Sequence, residues 1–558
     1  MSLNAQPVPP IPEHTRRIAH AAFPKGNPYL TLRDDIGPLF CDDDFADLFP
    51  PQGQHAYAPW RLALITLLQF RENLSDRQAA SAVRARIDWK YLLSLELADA
   101  GFDFSILSEF RTRLLNGQAG QRLLDKVLER AQALDLLKSR GRQRTDSTHV
   151  LSAVRVLNRL ELLGETLRAA LNVLATVAPE WLRRRAPAEW YKRYGRRVED
   201  GRLPRGTVKR TAYAEVIGAD GFTLLSWLGA DDAPEELRVL PAVQTLEQVW
   251  ADHFDCKKAT KASKSAIVAT DVRLRAPSEP WNKAEAIKSP YDLDARYGNK
   301  GSVKWIGYRA HVTETCDEEC PRLVTHVLTT AASTHDSKAT PVIQEALVAQ
   351  GRAPSTQLMD SVYLTATGMV ESLKLHQIHM VGPAMRNTSW QERQADAFGL
   401  EQFSIDWERE QVQCPEGRVS KLWGAYETEQ MGRFVRVKFD AAECQLCAVR
   451  SRCTKATKNG RQLTFKPREQ HEALEAIRAY LQTKSGAREY GKRAGVEGTF
   501  SQLARVFGVR RARYRTEAKA HVQHVATAAA LNVDRLVAWQ QGRDLAKTRT
   551  SRFAALAA

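Results

Sequence analysis

The chain has 558 residues, which is too long for one ordinary domain and predicts roughly two to four folded units. Its 81 lysines and arginines outnumber its 65 aspartates and glutamates, and the net charge of +16 indicates a polyanionic partner. With 43% hydrophobic and 26% charged residues, no secretion signal and no apolar run near the ~18–20 residues of a membrane helix, the composition predicts a globular cytoplasmic protein and excludes a disordered or fibrous chain.

The N-terminal part of the sequence divides into an arm and a helical module. Residues 1–44 are rich in proline and polar residues, and we expect little regular structure there. Residues 45–138 have apolar side chains at helical spacing, first over Trp60 to Phe70. Ser75 and Gln78 form the pattern of a capping box at the start of the next helix. We therefore predict an all-helical module of about ninety residues over this range.

Residues 139–402 predict an α/β domain interrupted by a helical insertion. The run Arg144 to Val150 is its first strand, and further strand patterns cover Val303 to Val312, Leu323 to Leu328 and Ile378 to Val381. Helical periodicity returns between about 155 and 260, so this range is the predicted insertion. It contains a basic segment with interleaved aromatic residues, Trp181 to Arg197, which is a candidate DNA-contact surface or else a solvated helix face.

Residues 403–465 predict a second, smaller insertion that contains four of the eight cysteines. Cys444 and Cys447 form a Cys-x2-Cys pair, and with Cys414 and Cys453 they are candidate ligands of a structural zinc ion. The alternative is that these are ordinary buried or loop thiols, since eight cysteines are too few for a disulfide scaffold in a chain of this length. A helix-rich region follows over residues 466–558.

Three acidic residues stand where a metal site built on a sheet would need them. Asp146 lies on the first predicted strand, Asp360 follows an apolar strand, and Glu497 lies in the helical segment Tyr490 to Val506. Phosphodiester chemistry uses two divalent cations about 4 Å apart, and such hard cations prefer carboxylate oxygens. The spacing alone also allows a simpler interpretation, in which Asp146 only holds a turn.

The segment around Glu497 resembles a known family signature. Its spacing Tyr-x2-Arg-x3-Glu, from Tyr490 to Glu497, is similar to that of bacterial insertion-sequence transposases of the Asp-Asp-Glu (DDE) class. The sequences Thr-Asp-Ser-Thr around Asp146 and Met-Asp-Ser-Val-Tyr around Asp360 resemble the two aspartate motifs of that class, and the N-terminal helical block resembles its first domain. One position departs from the signature: Ala504, beside Arg505, stands where the family often has lysine.

The resemblance implies a multidomain α/β protein in which an N-terminal helical DNA-binding domain precedes a ribonuclease H-like catalytic domain with helical and cysteine-containing insertions. It implies that Asp146, Asp360 and Glu497 are the catalytic acids and bind two Mg²⁺ or Mn²⁺ ions. It also implies DNA contacts by Tyr490 and by a set of arginines that surround the glutamate or follow it, namely Arg493, Arg505, Arg510, Arg511, Arg513 and Arg515.

The implied function is cleavage at the ends of an insertion sequence followed by transfer of the 3′ ends to target DNA. The implied partners are double-stranded DNA, both terminal inverted repeats and target, and a second copy of the chain on that DNA, in the bacterial cytoplasm at the nucleoid. No membrane partner is expected, and the sequence has no Gly-x4-Gly-Lys-Ser/Thr motif for a nucleotide cofactor. Two alternatives stay open: a catalytically inactive DNA-binding regulator derived from a transposase, and a nuclease without strand transfer. A covalent tyrosine or serine recombinase is disfavoured, because no tyrosine has the expected arginines and histidines around it.

Overall fold

The computed structural model describes residues 2–256, 269–276, 284–384, 389–429 and 431–543, together with residues 552, 553 and 556. The N-terminal part consists of helices, as the periodicity predicted. Their bounds are α1 Glu13–Ala22, α2 Pro28–Thr31, α3 Pro59–Arg71, α4 Asp76–Ala85, α5 Ile87–Leu92, α6 Ser105–Asn116 and α7 Arg122–Ala133. The predicted capping box is confirmed at the start of α4, where the Gln78 backbone N–H donates to Ser75 Oγ at 3.3 Å and the Ser75 N–H donates to Gln78 Oε1 at 2.9 Å.

The expectation of little regular structure in residues 1–44 is wrong. This segment contains α1 and α2, a π-helical turn at Leu32–Ile36 and the start of a 3₁₀ helix at Asp42–Leu48. Tyr29, Leu32 and Ile36 are buried in the same core as α3. Their spacing of three to four residues puts them on one side of these short helices, but each helix is too short to stand out in a periodicity window. Their docking against the later helices orders them.

Eight strands follow up to residue 381, and six of them form one mixed sheet. Their bounds are β1 Arg142–Leu151, β2 Phe254–Cys256, β3 Val272–Leu274, β4 Arg296–Lys300, β5 Val303–Thr315, β6 Val324–Ala331, β7 Thr356–Leu358 and β8 His379–Val381. The order across the sheet is β4-β5-β1-β7-β8, and β6 also pairs with β5. β1 is antiparallel to β5 and parallel to β7, which is parallel to β8. The predicted strands are confirmed, and the first of them, β1, is central.

The segment between β1 and β4 is a helical insertion with its own core. Its helices are α8 Arg159–Val177, α9 Pro179–Arg183, α10 Ala188–Tyr194, α11 Thr207–Leu228 and α12 Pro241–His253, and β2 and β3 pair beside them. Leu163, Leu167 and Trp250 are among the residues buried between these helices. This agrees with the predicted insertion, whose last residues, 257–260, lie outside the described ranges.

The remaining elements complete the part of the chain that follows β6. The helices are α13 Asp336–Ala349, α14 Ala366–His376, α15 Trp390–Arg393, α16 Ala441–Gln445, α17 Arg450–Cys453, α18 Arg468–Gln482, α19 Lys484–Gly491, α20 Gly495–Arg505 and α21 Glu517–Gln540. The small strands of the cysteine-containing segment are β9 Ser404–Asp406, β10 Gln411–Gln413, β11 Leu422–Thr428, β12 Gly432–Lys438 and β13 Gln462–Phe465. These strands enclose a separate small core, which contains Val437 and Phe439.

Helix α21 joins the N-terminal helices to the sheet. It packs against α3 and α7 on one side and against β6 on the other. Its buried residues belong to the same hydrophobic core as those of the N-terminal helices, α20 and β6. The helical module and the six-stranded sheet are therefore parts of one packed body. No helix among the described residues combines the length and apolar character needed to cross a membrane.

Candidate active site

Asp146 and Asp360 lie side by side because of the register between two parallel strands. In the β1–β7 pairing, Arg144 is opposite Leu358, and each aspartate lies two residues further along its own chain. Residues of parallel strands advance together, so both carboxylates reach the same level at the carboxyl end of β7. Asp146 is buried, whereas the side chain of Asp360 is 37% exposed to solvent. The structure thus brings these two predicted acids together.

Arg493 lies between the two carboxylates. Its Nη2 is 2.8 Å from Asp146 Oδ2 and 3.6 Å from Asp360 Oδ2. Lys300 Nζ lies 3.8 Å from Asp146 Oδ1 and donates to the Ser147 carbonyl at 3.2 Å. Burial raises the pKa of Asp146 and Asp360 adds to this, while Lys300 and Arg493 act in the lowering direction without cancelling the rise. The site is therefore a close pair of carboxylates, partly neutralised by a guanidinium and an ammonium group.

Glu497 lies in the first turn of α20 and its side chain is exposed. Its carboxylate makes no hydrogen bond or ion pair to any other described residue. The helix itself is firmly placed on β1: Arg144 Nη1 donates to the Lys492 carbonyl at 2.5 Å, and a Cβ added at Gly495 would lie 2.1 Å from the same nitrogen. The structure therefore brings the glutamate-bearing helix to the strand of Asp146 without bringing the third carboxylate into contact with the aspartate pair.

The helix predicted over Tyr490 to Val506 is interrupted by a 3₁₀ turn, Lys492–Ala494. Tyr490 ends up near the aspartates and Arg493, and burial together with Asp360 and Asp146 raises the pKa of its hydroxyl even though Arg493 lowers it. The change of helical phase explains why Tyr490 and Arg493 face the aspartates while Glu497 faces solvent, although uninterrupted helical spacing predicts a common face.

The donor set fits a hard divalent cation in part. Two carboxylates at one level supply the oxygen ligands that Mg²⁺ or Mn²⁺ prefers, and Arg493 already demonstrates that a cation is stabilised between them. Over the residues that the structure describes, no three histidine, cysteine, aspartate or glutamate side chains are arranged to hold a metal ion. The two aspartates therefore lack a third acidic partner in the described arrangement, and Glu497 is the predicted acid on the adjoining helix.

A buried ionic cluster lies behind Asp146, and no sequence pattern predicted it. Glu314 of β5 is fully buried and accepts hydrogen bonds from Arg144 Nε at 2.7 Å, Thr499 Oγ1 at 2.7 Å and Arg535 Nη1 at 2.8 Å. Burial would raise the pKa of Glu314, but Arg535 and Arg144 bring it below its usual value. The cluster links β1, β5, α20 and α21 around a single carboxylate.

A second polar network lies below the aspartates. Asp336 accepts from Arg309 Nη1 at 2.7 Å and from Ser147 Oγ at 3.4 Å. His311 Nδ1 and the Tyr363 hydroxyl are 2.7 Å apart, and burial lowers the pKa of His311 to about 4, so the ring is neutral at pH 7. Some of these residues follow the two aspartates closely in the sequence, and others face them in the sheet. The network is therefore visible only in the folded structure.

The arginines assigned to DNA contact differ in their surroundings. Arg510 is exposed at the end of β1, where its Nε donates to Thr148 Oγ1 at 3.1 Å. Arg513 is turned inward instead, with Nη1 donating to the Leu74 carbonyl at 2.7 Å and Nη2 to Asn73 Oδ1 at 2.5 Å. The other three have exposed side chains: Arg505, Arg511 and Arg515. Arg513 therefore serves as a tie to the N-terminal helices.

The four cysteines of the small insertion converge. Cys414, Cys444, Cys447 and Cys453 line one cavity of about 30 Å³. The thiols are free and half-buried, and the Arg461 backbone N–H points at Cys444 Sγ at 3.5 Å. Burial and the three neighbouring thiols raise the pKa of Cys453 to about 11 despite Arg461. Three separate stretches of chain thus contribute cysteines to one cavity, although among the described residues no three such side chains are arranged to hold a metal ion.

Two models of known protein families match the chain. The model described as "Transposase DDE domain" matches residues 413–537, and the model described as "Transposase domain (DUF772)" matches residues 17–113. The first match contains Glu497 and the four cysteines, whereas Asp146 and Asp360 lie outside both. No curated protein and no solved structure matches the chain.

Proposed function

Because the chain belongs to the insertion-sequence transposases of the DDE class, we propose that it cuts the ends of its own element and transfers the freed 3′ ends to target DNA. Asp146, Asp360 and Glu497 are the catalytic acids of this proposal. The observation that carries it is the register of β1 and β7, which sets two carboxylates at one level beside the glutamate-bearing helix. The sheet order, with β5 antiparallel and β7 parallel to β1, supports a ribonuclease H-like catalytic domain.

Divalent cations, Mg²⁺ or Mn²⁺, would be held by these acids and would supply activation of the attacking oxygen and neutralisation of the leaving oxygen. The protein's own part is positioning. Asp146 is fixed on a central strand, where its Oδ1 accepts from the Ser147 N–H at 2.7 Å, and Asp360 accepts from the Ser361 N–H at 2.6 Å. Both carboxylates are therefore oriented by their own backbone before any substrate arrives.

In this proposal Arg493 has one binding partner in the DNA-free protein and another in the DNA-bound protein. Without DNA it neutralises the two aspartates, and with DNA it binds a phosphate at the scissile site, because guanidinium groups bind phosphate oxygens as well as carboxylates. Tyr490 lies within the same group and is expected to contact that phosphate. Exposed Arg505, Arg510, Arg511 and Arg515 would then contact the adjoining DNA backbone, with a second copy of the chain on the other end of the element.

The proposal also includes a structural zinc ion bound by Cys414, Cys444, Cys447 and Cys453. The support is their convergence on one small cavity within a segment whose own core is small.

A regulator that binds DNA without cutting it is the second candidate function. The exposed, unpartnered Glu497 and the occupation of the aspartate pair by Arg493 favour it, because neither is a finished catalytic geometry. A nuclease without strand transfer uses the same site.

The experiment that tests the proposal is cleavage of labelled inverted-repeat DNA with Mg²⁺. We expect Asp146→Asn, Asp360→Asn and Glu497→Gln each to lower the cleavage rate while DNA binding survives. Loss of a residue that only supports a metal ligand typically lowers activity by roughly 10–100-fold, and loss of a ligand itself should exceed this. Glu371→Gln, an exposed acid on α14, is the matched control and should cleave normally. Binding without cleavage by the wild type would favour the regulator, and addition of a target plasmid separates joining from cutting.

A further inference from the structure

The helical insertion carries a large and local excess of positive charge. Between residues 180 and 210 there are 11 lysines and arginines against 4 aspartates and glutamates. Three of the four large aromatic residues of the segment are buried, namely Trp181, Trp190 and Tyr194, and the fourth, Tyr191, is exposed. The charged side chains lie on the outside of the segment, and none of the buried rings is available for stacking.

Ion pairing separates these cations into two groups. Five arginines have an acidic partner, namely Arg183, Arg185, Arg193, Arg202 and Arg210. The other six are exposed, and their side chains make no hydrogen bond or ion pair to the described residues: Arg184, Lys192, Arg196, Arg197, Arg205 and Lys209. Four of the six lie within residues 195–209, which we call the basic loop.

The basic loop is held in a defined place, at the N-terminus of α8. The Val198 N–H donates to Glu165 Oε1 at 2.5 Å and the Asp200 N–H donates to Glu161 Oε1 at 3.0 Å. Arg155 bonds both to Glu161 and to the Val198 carbonyl, so the loop is tied to the linker between β1 and α8. Its cations are therefore displayed on a fixed surface.

A short stretch of chain links this surface to the candidate active site. Leu151 ends β1 five residues after Asp146, a distance of roughly 17 Å along a strand, and Arg155 follows four residues later. Arg511 pairs with Leu151, so the exposed arginines that follow α20 lie at the same end of β1. One turn of duplex DNA spans about 34 Å, which is enough to connect the two basic regions.

The charges at the start of α11 are unfavourable for the fold itself. The first turn of α11 has no acidic residue, and its N-cap, Gly206, provides no side-chain hydrogen bond. Lys209 lies in this turn, where a cation opposes the helix dipole. A bound phosphate group would make these charges favourable, because it would accept hydrogen bonds from the free backbone N–H groups of the first turn and neutralise the nearby cations.

We propose that the basic loop is a binding surface for the phosphate backbone of duplex DNA, formed by Arg196, Arg197, Arg205 and Lys209, and that it holds the DNA that leaves the active site. The proposal rests on the proposed function only for the identity of that DNA. The contact is electrostatic and independent of base sequence, since the basic loop presents cations and contains no aromatic residue.

The test measures the affinity of the full-length protein for a duplex carrying one end of the element, between about 50 and 200 mM salt. The variant R196A/R197A/R205A/K209A is expected to bind at least about tenfold more weakly at the low-salt end, with a log–log salt slope shallower by roughly 3 to 4, because each phosphate contact contributes about 0.9. The control R409A/R433A/R468A/R478A removes the same charge from exposed arginines that are already paired with acids, and it should keep the wild-type slope.

Equal slopes for the wild type and the first variant would overturn the proposal, as would equal losses in both variants, which would indicate a dependence on net charge alone. The milder R197Q/R205Q variant guards against misfolding and should show about half the change in slope, and an unchanged slope there would also count against the proposal. Binding is measured without Mg²⁺, so the result is independent of cleavage. If Asp146→Asn still cleaves, the proposed function fails while the binding surface stands.

Discussion

At the scale of single residues, the candidate site depends on one guanidinium between two carboxylates. Asp146 and Asp360 are brought to one level by the strand register, and their mutual repulsion contributes to the raised pKa of Asp146. Arg493 relieves that repulsion through contacts of 2.8 and 3.6 Å. A divalent cation would need the same oxygens, so Arg493 and the metal compete for one position.

This competition predicts an unusual phenotype for Arg493→Ala. Removal of the guanidinium leaves Lys300 as the remaining cation beside the two carboxylates, so divalent cations should bind the DNA-free protein more tightly, by about tenfold, equivalent to ~1.4 kcal/mol. Cleavage should nevertheless fall, because the phosphate loses its guanidinium partner. Isothermal titration calorimetry with Mn²⁺ measures the first effect and the DNA cleavage assay measures the second.

The matched control for this variant is Arg488→Ala, which removes the same charge from an exposed position on α19. It should leave metal affinity within about twofold of the wild type, since surface charges separated by solvent interact weakly. Equal or weaker Mn²⁺ binding by Arg493→Ala would show that the arginine supports the metal site instead of competing with it.

At the scale of elements, the position of α20 depends on the buried Glu314. Arg144 on β1, Thr499 on α20 and Arg535 on α21 all bond to this one carboxylate of β5. Such a cluster adds little to the free energy of unfolding when it is complete. Removal of one member lowers that free energy strongly, because the remaining charges stay buried without a partner. It therefore fixes the helix of the proposed catalytic glutamate relative to the strand of Asp146.

Glu314→Gln is accordingly predicted to lower the free energy of unfolding by about 3–5 kcal/mol at pH 7, measured by urea denaturation. The folded protein holds the pKa of Glu314 below its usual value of 4.5, so its stabilisation is present above that pH and is lost as the pH falls through the folded pKa. The difference between wild type and variant should therefore shrink in acid. Glu180→Gln, from an exposed pair with Arg183, should change stability by no more than about 0.5 kcal/mol.

The cysteine-containing segment gives a second prediction at this scale. If Cys414, Cys444, Cys447 and Cys453 bind zinc, the purified protein should contain about one zinc ion per chain, and Cys447→Ser should lose it. Cys256→Ser is the control, since this thiol is equally half-buried but belongs to the helical insertion. Fewer than about half an equivalent of zinc in the wild type, measured by elemental analysis, would exclude the site.

The elements were largely predictable from sequence, but their assembly was not. α4 was visible from its capping box and β1 from its alternating β-prone run, because both signals are local. The short helices around Tyr29 were missed, since their order comes from docking against α3 and α5 and not from their own periodicity. Asp146 and Asp360 were identified through motif resemblance. Glu314 was one acid among 65, and only the packing of four elements distinguishes it.

At the scale of the whole molecule, α21 makes the N-terminal helices and the catalytic sheet one body. Arg71 of α3 pairs with Asp534 of α21. Asn532, on the same helix, bonds to both backbone groups of Val324 in β6 at 2.8 Å. A single hydrophobic core extends across these contacts. If the N-terminal helices bind a DNA end, as the family resemblance implies, that end would be held at a fixed distance from the aspartate pair.

This arrangement predicts that the two parts unfold together. Asn532→Ala leaves the buried N–H and carbonyl of Val324 unpaired and should destabilise the protein by about 1–3 kcal/mol for each group left without a partner. The free energy of opening that native-state hydrogen exchange measures should then fall by a similar amount in β6, in α3 and in α7. This is expected although the substitution lies in none of these three elements. The helices of the insertion have their own core and should exchange as before. Acceleration confined to β6 would mean that the N-terminal helices and the sheet are separate cooperative units, and that the DNA-binding module is free to move relative to the site.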